Sequence, residues 1–331
     1  MYSTRRTFLR GAAALAGAAA LPTVANAAAP QVVNYGGSAW LGHYPAYIGI
    51  KAGLFAAKGI DVKWQSFGTS SARMSAILSG GIDIGCTGIV SALALMARGS
   101  RHFSIIAVPD DFGRVEGLFA HNNIASIQGL KGKKIGVTFA SSSHLLILDL
   151  LAAAGLSPER DVSLLNIPAP ELPAAFQTNQ IDAAAAWTPQ FNKIRSMPDT
   201  KLLADDTGFS LYKKYGVTPG PDVLVIRREF GNNNAALTRK FLDVYFDACV
   251  MLRDAPEQAA KYLTELTNLS LADQIATVKD ASWYDAGKQK TLLKAPAKFI
   301  DGLQSLADML VTYKQIDKAP AVHEWVDTQY L

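Results

Sequence analysis

Cysteine is scarce in this chain: only Cys86 and Cys249 occur in 331 residues, 163 positions apart. Two cysteines so far apart cannot staple a chain of this length, which excludes a disulfide scaffold. They are expected as buried thiols, with a single disulfide as the alternative. The five histidines (His43, His102, His121, His144 and His323) show no metal-ligand spacing. Also missing are G-x-S-x-G, H-E-x-x-H, C-x-x-C, G-x-G-x-x-G and any glycine-rich run ending in Gly-Lys-Ser/Thr. These absences point away from an enzyme and from a cofactor. A surplus of charge is missing too. Lys and Arg total 32 against 28 acids, a formal +4, but Arg5, Arg6 and Arg10 lie in an acid-free stretch of 27 residues, and 4 − 3 leaves +1. That balance lacks the basic excess of a nucleic-acid binder. After residue 27 no stretch is apolar over the roughly 18 residues a membrane span needs.

What the chain does have is apolar surface. With 49% hydrophobic residues it is rich enough for a buried core, and disorder is excluded. At roughly 150 residues per domain, the length points to two domains or one large one.

The N-terminus reads as an address. Thr4-Arg5-Arg6-Thr7-Phe8-Leu9-Arg10 precedes an Ala/Gly/Leu run from Gly11 to Leu21, then Pro22 and the small-residue site Ala25-Asn26-Ala27. A charged head, a short apolar stretch and an A-x-A tail describe a cleaved secretory signal. The paired arginines before Phe-Leu resemble a twin-arginine signal, read as an address by a receptor. The expectation is residues 1–27 removed and a periplasmic protein starting near Ala28.

From Gln31 onward, short β-branched or aromatic runs alternate with helical patterns. Strands are expected at Gln31–Tyr35, Ile60–Phe67, Ile82–Cys86 and Phe103–Val108, with helices at Pro45–Gly53, Ser71–Ser79 and Val90–Ala97. This alternation argues for a parallel, open α/β sheet. A second α/β unit begins near Leu118, with strands at Lys134–Thr138, Val162–Asn166 and Ala183–Trp187 and helices at Ser143–Ala154 and Leu172–Thr178. Val223–Arg227 is a further strand. Everything after Asn234 is expected to be helical, and a strandless third must pack on an existing unit. The Gly, Pro and acid stretches at Asp111–Gly117 and Tyr215–Asp222 are expected to be crossovers between two lobes. The first lobe then holds residues 28–114 and 220–331, the second 115–219.

In open α/β sheets ligands bind beyond the carboxyl ends of strands. Three strand-to-helix turns there are rich in hydroxyls and glycine: Gly68-Thr69-Ser70-Ser71, Cys86-Thr87-Gly88 and Ala140-Ser141-Ser142-Ser143-His144. Each alone reads as a plain helix N-cap; three together suggest a cup for an oxyanion. Trp40, Tyr44, Tyr47 and Trp187 flank these turns. Asp222, just before Val223-Leu224-Val225, is placed to pair a ligand ammonium. Asp110, Asp111 and Glu116 read instead as solvated turn acids or hinge ion pairs.

Five stretches then match one family in order: AGLFAAKGIDVKW, ILSGGIDIGCTGI, LKGKKIGVTFASSSHLLI, NQIDAAAAWTP and DVLVIRREF. Over nearly its whole length after the signal, the chain resembles the periplasmic solute-binding proteins of nitrate/sulfonate/taurine-type ABC importers. It is nearest their taurine-binding branch, through Ser142-Ser143-His144, Ala186-Trp187-Thr188-Pro189 and Asp222. The resemblance implies a two-lobed type II periplasmic binding protein with two open mixed sheets, a hinge and a ligand cleft between the lobes. It implies that Ser142, Ser143 and His144 cup a sulfonate or similar oxyanion, with Thr87 and Gly88 facing them. Ser38, Trp40, Tyr44, Ser70 and Trp187 complete the expected site, with Asp222 on an amine. The taurine branch carries an acid in its first loop just before the proline. Here that loop, Ser38 to Pro45, has none, which points away from taurine toward a larger, less cationic or more aromatic solute. The implied partners are a membrane permease and its ATPase; the protein is expected to be a monomer. Nitrate, a small amine, or delivery to a sensor are the alternatives, and a pyrimidine-precursor synthase on a related fold is the enzymatic one.

Overall fold

The computed structural model describes residues 29–331, so the expected signal at 1–27 lies outside the described residues. In chain order the first strands are β1 Gln31–Gly37, β2 Ile60–Ser66, β3 Ile84–Gly88, β4 Phe103–Ala107 and the two-residue β5 Asp110–Asp111. Then come β6 Glu116–Ala120, β7 Lys134–Val137, β8 Ser163–Asn166, β9 Ala183–Trp187 and β10 Lys201–Asp205, and finally β11 Asp222–Arg227 and β12 Ser282–Trp283. They form a five-stranded sheet ordered β2-β1-β3-β11-β4, a second ordered β10-β6-β9-β7-β8, and a small ribbon of β12 on β5.

Neither large sheet is wholly parallel. β11 runs antiparallel to β3 and β4, and β6 runs antiparallel to β9 and β10. Both reversals have one cause. β6 and β11 are the first strands laid down after the chain crosses between sheets, and each enters from the end opposite to its βαβ neighbours. β6 and β10, and the helices Gln190–Arg195 and Ser210–Tyr215, were not foreseen from the pattern. The expectation that only helix follows Asn234 also needs correction, because Ser282–Trp283 pairs with Asp110–Asp111 at the crossover.

The C-terminal helices pack as the lack of long strands requires. Phe241 of the Ala235–Asp254 helix stacks between Tyr35 of β1 (6.1 Å) and Phe55 (4.9 Å). Emptying such a site by Phe241→Ala costs about 3–5 kcal/mol. Lys298–Thr312 buries Phe299, Leu303, Leu306, Ala307 and Leu310, one stripe at helical period. Gly302 of this helix lies so close to Tyr215 and Val217 that a Cβ there would collide with both. No helix among the described residues is long and apolar enough to cross a membrane. Cys86 and Cys249 are both free and buried.

Candidate functional site

A cavity of about 550 Å³ lies between the two large sheets. Its first wall comes from the carboxyl ends of β1, β2, β3 and the start of β11: Ser38, Trp40, Ser70, Gly88 and Asp222 among others. Its second wall comes from the ends of β7 and β9 and the start of β6: Glu116, Ser142 and Trp187 among others. Seven of the eleven expected site residues therefore share one cavity.

The other four sit outside its lining, each for a packing reason. Tyr44 is buried in the core and stacks on Trp283 at 6.2 Å. Thr87 is buried within β3, which is flanked on both sides by strands, and its hydroxyl has no hydrogen-bond partner. Ser143 is fully buried and donates its hydroxyl to Glu116. His144 turns to the outer side, stacking on Phe139 at 4.5 Å, where burial lowers its pKa.

The three hydroxyl-rich turns differ in what they leave free. Thr69 and Ser141 are N-caps, accepting from the N–H of Ala72 (3.1 Å) and His144 (3.2 Å). The start of Ile89–Ala97 is already plugged, since Ile89 N–H donates to the Pro221 carbonyl. Ser142 donates to Glu116 at 2.7 Å. The hydroxyls expected to cup an oxyanion on the second wall are thus engaged by a carboxylate of the protein itself.

Anion-binding capacity lies on the first wall, in a residue the sequence reading passed over. Arg73, on the first turn of the Ser70–Ser79 helix, lines the cavity while only 3% exposed. It makes no ion pair among the described residues, and its Nε has no partner. Gly36 and Gly85 pair directly across β1 and β3, and a Cβ on either would stand 3.0–3.1 Å from the Arg73 stem. The two glycines form a bed on which that stem lies. Burial lowers the Arg73 pKa; nearby Cys86, Tyr35 and Asp222 oppose the shift. His43, on the same wall, is driven well below its usual pKa by burial and by Arg73, so it is neutral. A signal was present: Arg73 shares a helix face with Met74 and Ile77, both buried, above two glycines in strand interiors.

Three acids face the cavity. Asp222 accepts from Trp40 Nε1 at 2.6 Å; burial pushes it up to about 6, against that bond and Arg73. Glu116 is buried, not a solvated turn acid; burial raises it, and the bonds from Ser143 and Ser142 oppose this. Asp206 accepts from the Arg114 N–H, and burial, then Glu116, push it up to about 9. Asp110 is also buried, with neither carboxyl oxygen partnered. Glu116 opens β6 before the apolar Gly117–Ala120 just as Asp222 opens β11 before Val223–Val225, so the two acids hold equivalent positions at strand starts.

Residues 40–259 match the family described as NMT1/THI5 like. The chain belongs to the NMT1/THI5-like family. Among its relatives, the taurine-binding periplasmic protein of Escherichia coli is 28% identical over 287 residues, 84% of this chain and 85% of that protein. The crystal structure of the periplasmic aliphatic sulphonate binding protein SsuA from Escherichia coli superposes with a TM-score of 0.77 at 20% identity, covering 90% of this chain and 92% of that one. SsuA from Xanthomonas axonopodis pv. citri, an alkanesulfonate-binding protein, gives 0.71 at 21%, covering 91% and 100%. These likenesses show that this NMT1/THI5-like chain has the two-lobed periplasmic binding protein fold, with the cavity between the lobes.

Proposed function

We propose that the chain is the periplasmic solute-binding component of an ABC importer, capturing a small organic anion with a sulfonate or related head group. The observation that carries this reading is Arg73: a guanidinium without an ion pair, buried in an interlobe cavity. Charge-assisted bonds from a guanidinium to an oxyanion are among the strong ones, and burial sharpens them. The adjacent helix start adds Ser70 and Ser71, which line the same pocket, and a favourable dipole for a negative group. Trp40, Phe112, Phe139 and Trp187 line the remainder with aromatic surface. The names of the relatives, taurine- and sulfonate-binding, support the same head group. A cavity of about 550 Å³ is of the size that encloses an organic solute rather than a bare inorganic ion.

Because the walls come from different sheets, a ligand touching both favours the closed arrangement and shifts the population toward it. The closed monomer then hands its cargo to a membrane permease driven by an ATPase. A dissociation constant in the micromolar range, about −8 kcal/mol, is the scale for such capture.

The test is thermal-shift and calorimetric binding on the chain from Ala28 onward. The panel is taurine, alkane and aromatic sulfonates, aromatic carboxylates, nitrate and small amines. Sulfonates raise the melting temperature saturably, since only ligands preferring the native state do so, and Arg73→Met abolishes the rise while the protein stays folded. A response to nitrate alone, or an undiminished sulfonate response in Arg73→Met, overturns the reading.

A further inference from the structure

Phe139, Ala140 and Ser141 join β7 to the Ser142–Ala153 helix and form part of the second wall of the cavity. Ala140 sits there at φ +58°, a left-handed conformation that disfavours any side chain and that a glycine would take without strain. Such a turn keeps its shape only where its surroundings hold it. The Phe139 N–H donates to Asn166 Oδ1 at 3.0 Å, and the Ser141 hydroxyl donates to the Thr138 carbonyl at 2.6 Å. The N–H of the strained residue itself goes to Nδ1 of His144 at 3.3 Å. The same imidazole lies nearly flat on the Phe139 ring, at 4.5 Å with 9° between the planes. One buried side chain thus grips both exposed residues of the turn.

A ring nitrogen that accepts a hydrogen bond carries no proton, so the imidazole that holds Ala140 is neutral, with its hydrogen on Nε2. On protonation both ring nitrogens become donors, and Nδ1–H would point at the Ala140 N–H. The turn then loses its tie at the residue least suited to its own conformation. Glu159, Tyr313 and Lys314 are the titratable groups that share a second cavity of about 460 Å³ with His144 and Phe139. Asp149 lies further along the same helix and is engaged by Ser210, and Glu116 of β6 is engaged by Ser142 and Ser143. None of these groups moves the titration of His144; burial alone lowers its pKa.

We infer that His144 is a positioning residue for capture: its neutral imidazole holds the Phe139-Ala140-Ser141 wall in the shape that receives the solute, and acidification releases that wall and weakens binding. The inference rests on the capture reading above, because the turn matters as a wall of the ligand cavity. His144 was expected to touch the ligand; it acts instead through Ala140 and Phe139, which line the cavity in its place.

The first half of the test needs no ligand. In the ¹⁵N-labelled chain from Ala28 onward, the Ala140 amide and the His144 ring are followed by NMR from pH 8 to pH 4.5. The amide is expected to shift with the same midpoint as the ring, below the about 6.5 of a free histidine, and the neutral ring to carry its proton on Nε2. An amide that does not titrate with the ring, or a neutral ring protonated on Nδ1, overturns the inference. In the second half, the tightest-binding sulfonate of the panel above, ionised throughout, is titrated calorimetrically into wild type, His144→Asn and His144→Phe at pH 7.5 and pH 5. Asparagine offers an amide oxygen near the place of Nδ1 and takes up no proton; phenylalanine keeps a flat ring for the stack but no acceptor. Between the two pH values the wild type should lose about three- to tenfold more affinity than His144→Asn, and His144→Phe should be weaker than wild type by a similar factor already at pH 7.5. The acids of the cavity titrate in all three proteins, so only the difference between them reports on His144. Equal losses in wild type and His144→Asn overturn the inference, as does wild-type affinity in His144→Phe. If no sulfonate binds the wild type, the capture reading itself fails and this role falls with it, even where the NMR titration shows the Ala140 bond.

Discussion

Trp40 and Asp222 stand 182 positions apart and meet at the floor of the cleft, the indole N–H donating to the carboxylate at 2.6 Å. The first loop of the first sheet is thereby tied to the first residue of the strand that returns from the second. The bond also holds down the pKa of a carboxyl that burial pushes up to about 6.

The pH consequence has a definite sign. Asp222 binds its proton more tightly folded than unfolded, where an aspartate titrates near about 3.9. Its contribution to stability is therefore complete below about pH 4 and is lost as pH rises through about 6. Asp222→Asn removes that loss. In urea unfolding, the stability of Asp222→Asn relative to the wild type should increase by about 1 kcal/mol between pH 5 and pH 8. A difference constant across that range would sink the assignment. Trp40→Phe has the opposite effect, moving the Asp222 transition above about 6.

Gly85 predicts a coupling. Alanine there brings a Cβ to 3.1 Å from Arg73 Cδ and 3.0 Å from the Gly36 carbonyl. Overpacking of this kind costs about 1–3 kcal/mol, and the displaced guanidinium should lower sulfonate affinity about tenfold. In an Arg73→Ala background the backbone contact remains but the stem is gone. The stability cost of Gly85→Ala should then shrink by about 1 kcal/mol, read as a double-mutant cycle in urea. Strict additivity would mean that the glycine pair has no role in seating Arg73.

Much of this architecture was legible because it is local. β1, β2, β4, β7, β8, β9 and β11 have hydrophobic runs bounded by turn residues, and they form close to where those runs lie. What escaped depends on distant partners. β10, Lys201–Asp205, has no residue fully buried and becomes a strand only by pairing with β6 at an edge. The site divides the same way. Ser142, Trp187 and Asp222 sit at strand ends, where position alone announces a cleft. Ser143 and His144 are one and two residues past Ser142, but the Ser142–Ala153 helix is buried nearly all round, so rotating 100° per residue turns them into the core or out of the cleft. Arg73 and Glu116 were missed because an arginine in a helix and an acid in a crossover are usually solvated. Only the contacts of Gly36 and Gly85 with Arg73, and of Ser142 and Ser143 with Glu116, show them buried.

The thiols give a direct check on packing. Cys86 and Cys249 are free and 0% exposed, so the disulfide considered as an alternative is not formed. Burial, more than any neighbouring charge, pushes both thiols well above their usual pKa, and it is the thiolate that reacts. A disulfide reagent should modify neither cysteine in native protein at pH 8 and both after denaturation. Prompt modification of Cys86 without unfolding would mean that the floor of the cavity opens.

The last prediction concerns the serines that were expected to hold the ligand. Ser142 and Ser143 donate to Glu116, and those bonds oppose the upward push of burial on its pKa. Replacing both with alanine removes the opposition, so Glu116 holds its proton to higher pH. If Glu116 serves an ammonium, the double variant should bind the amino sulfonate about three- to tenfold more weakly at pH 7, the scale of losing a bond to a charged group. A higher pH favours the ionised Glu116 and should narrow that loss, while the ligand amine is still largely protonated. If instead the serine hydroxyls grip the sulfonate directly, the double variant loses affinity equally at both pH values and for sulfonates with and without an amine. Calorimetric titration at pH 7 and 8.5 separates the two, because only a carboxyl whose titration has moved makes the defect reversible by pH.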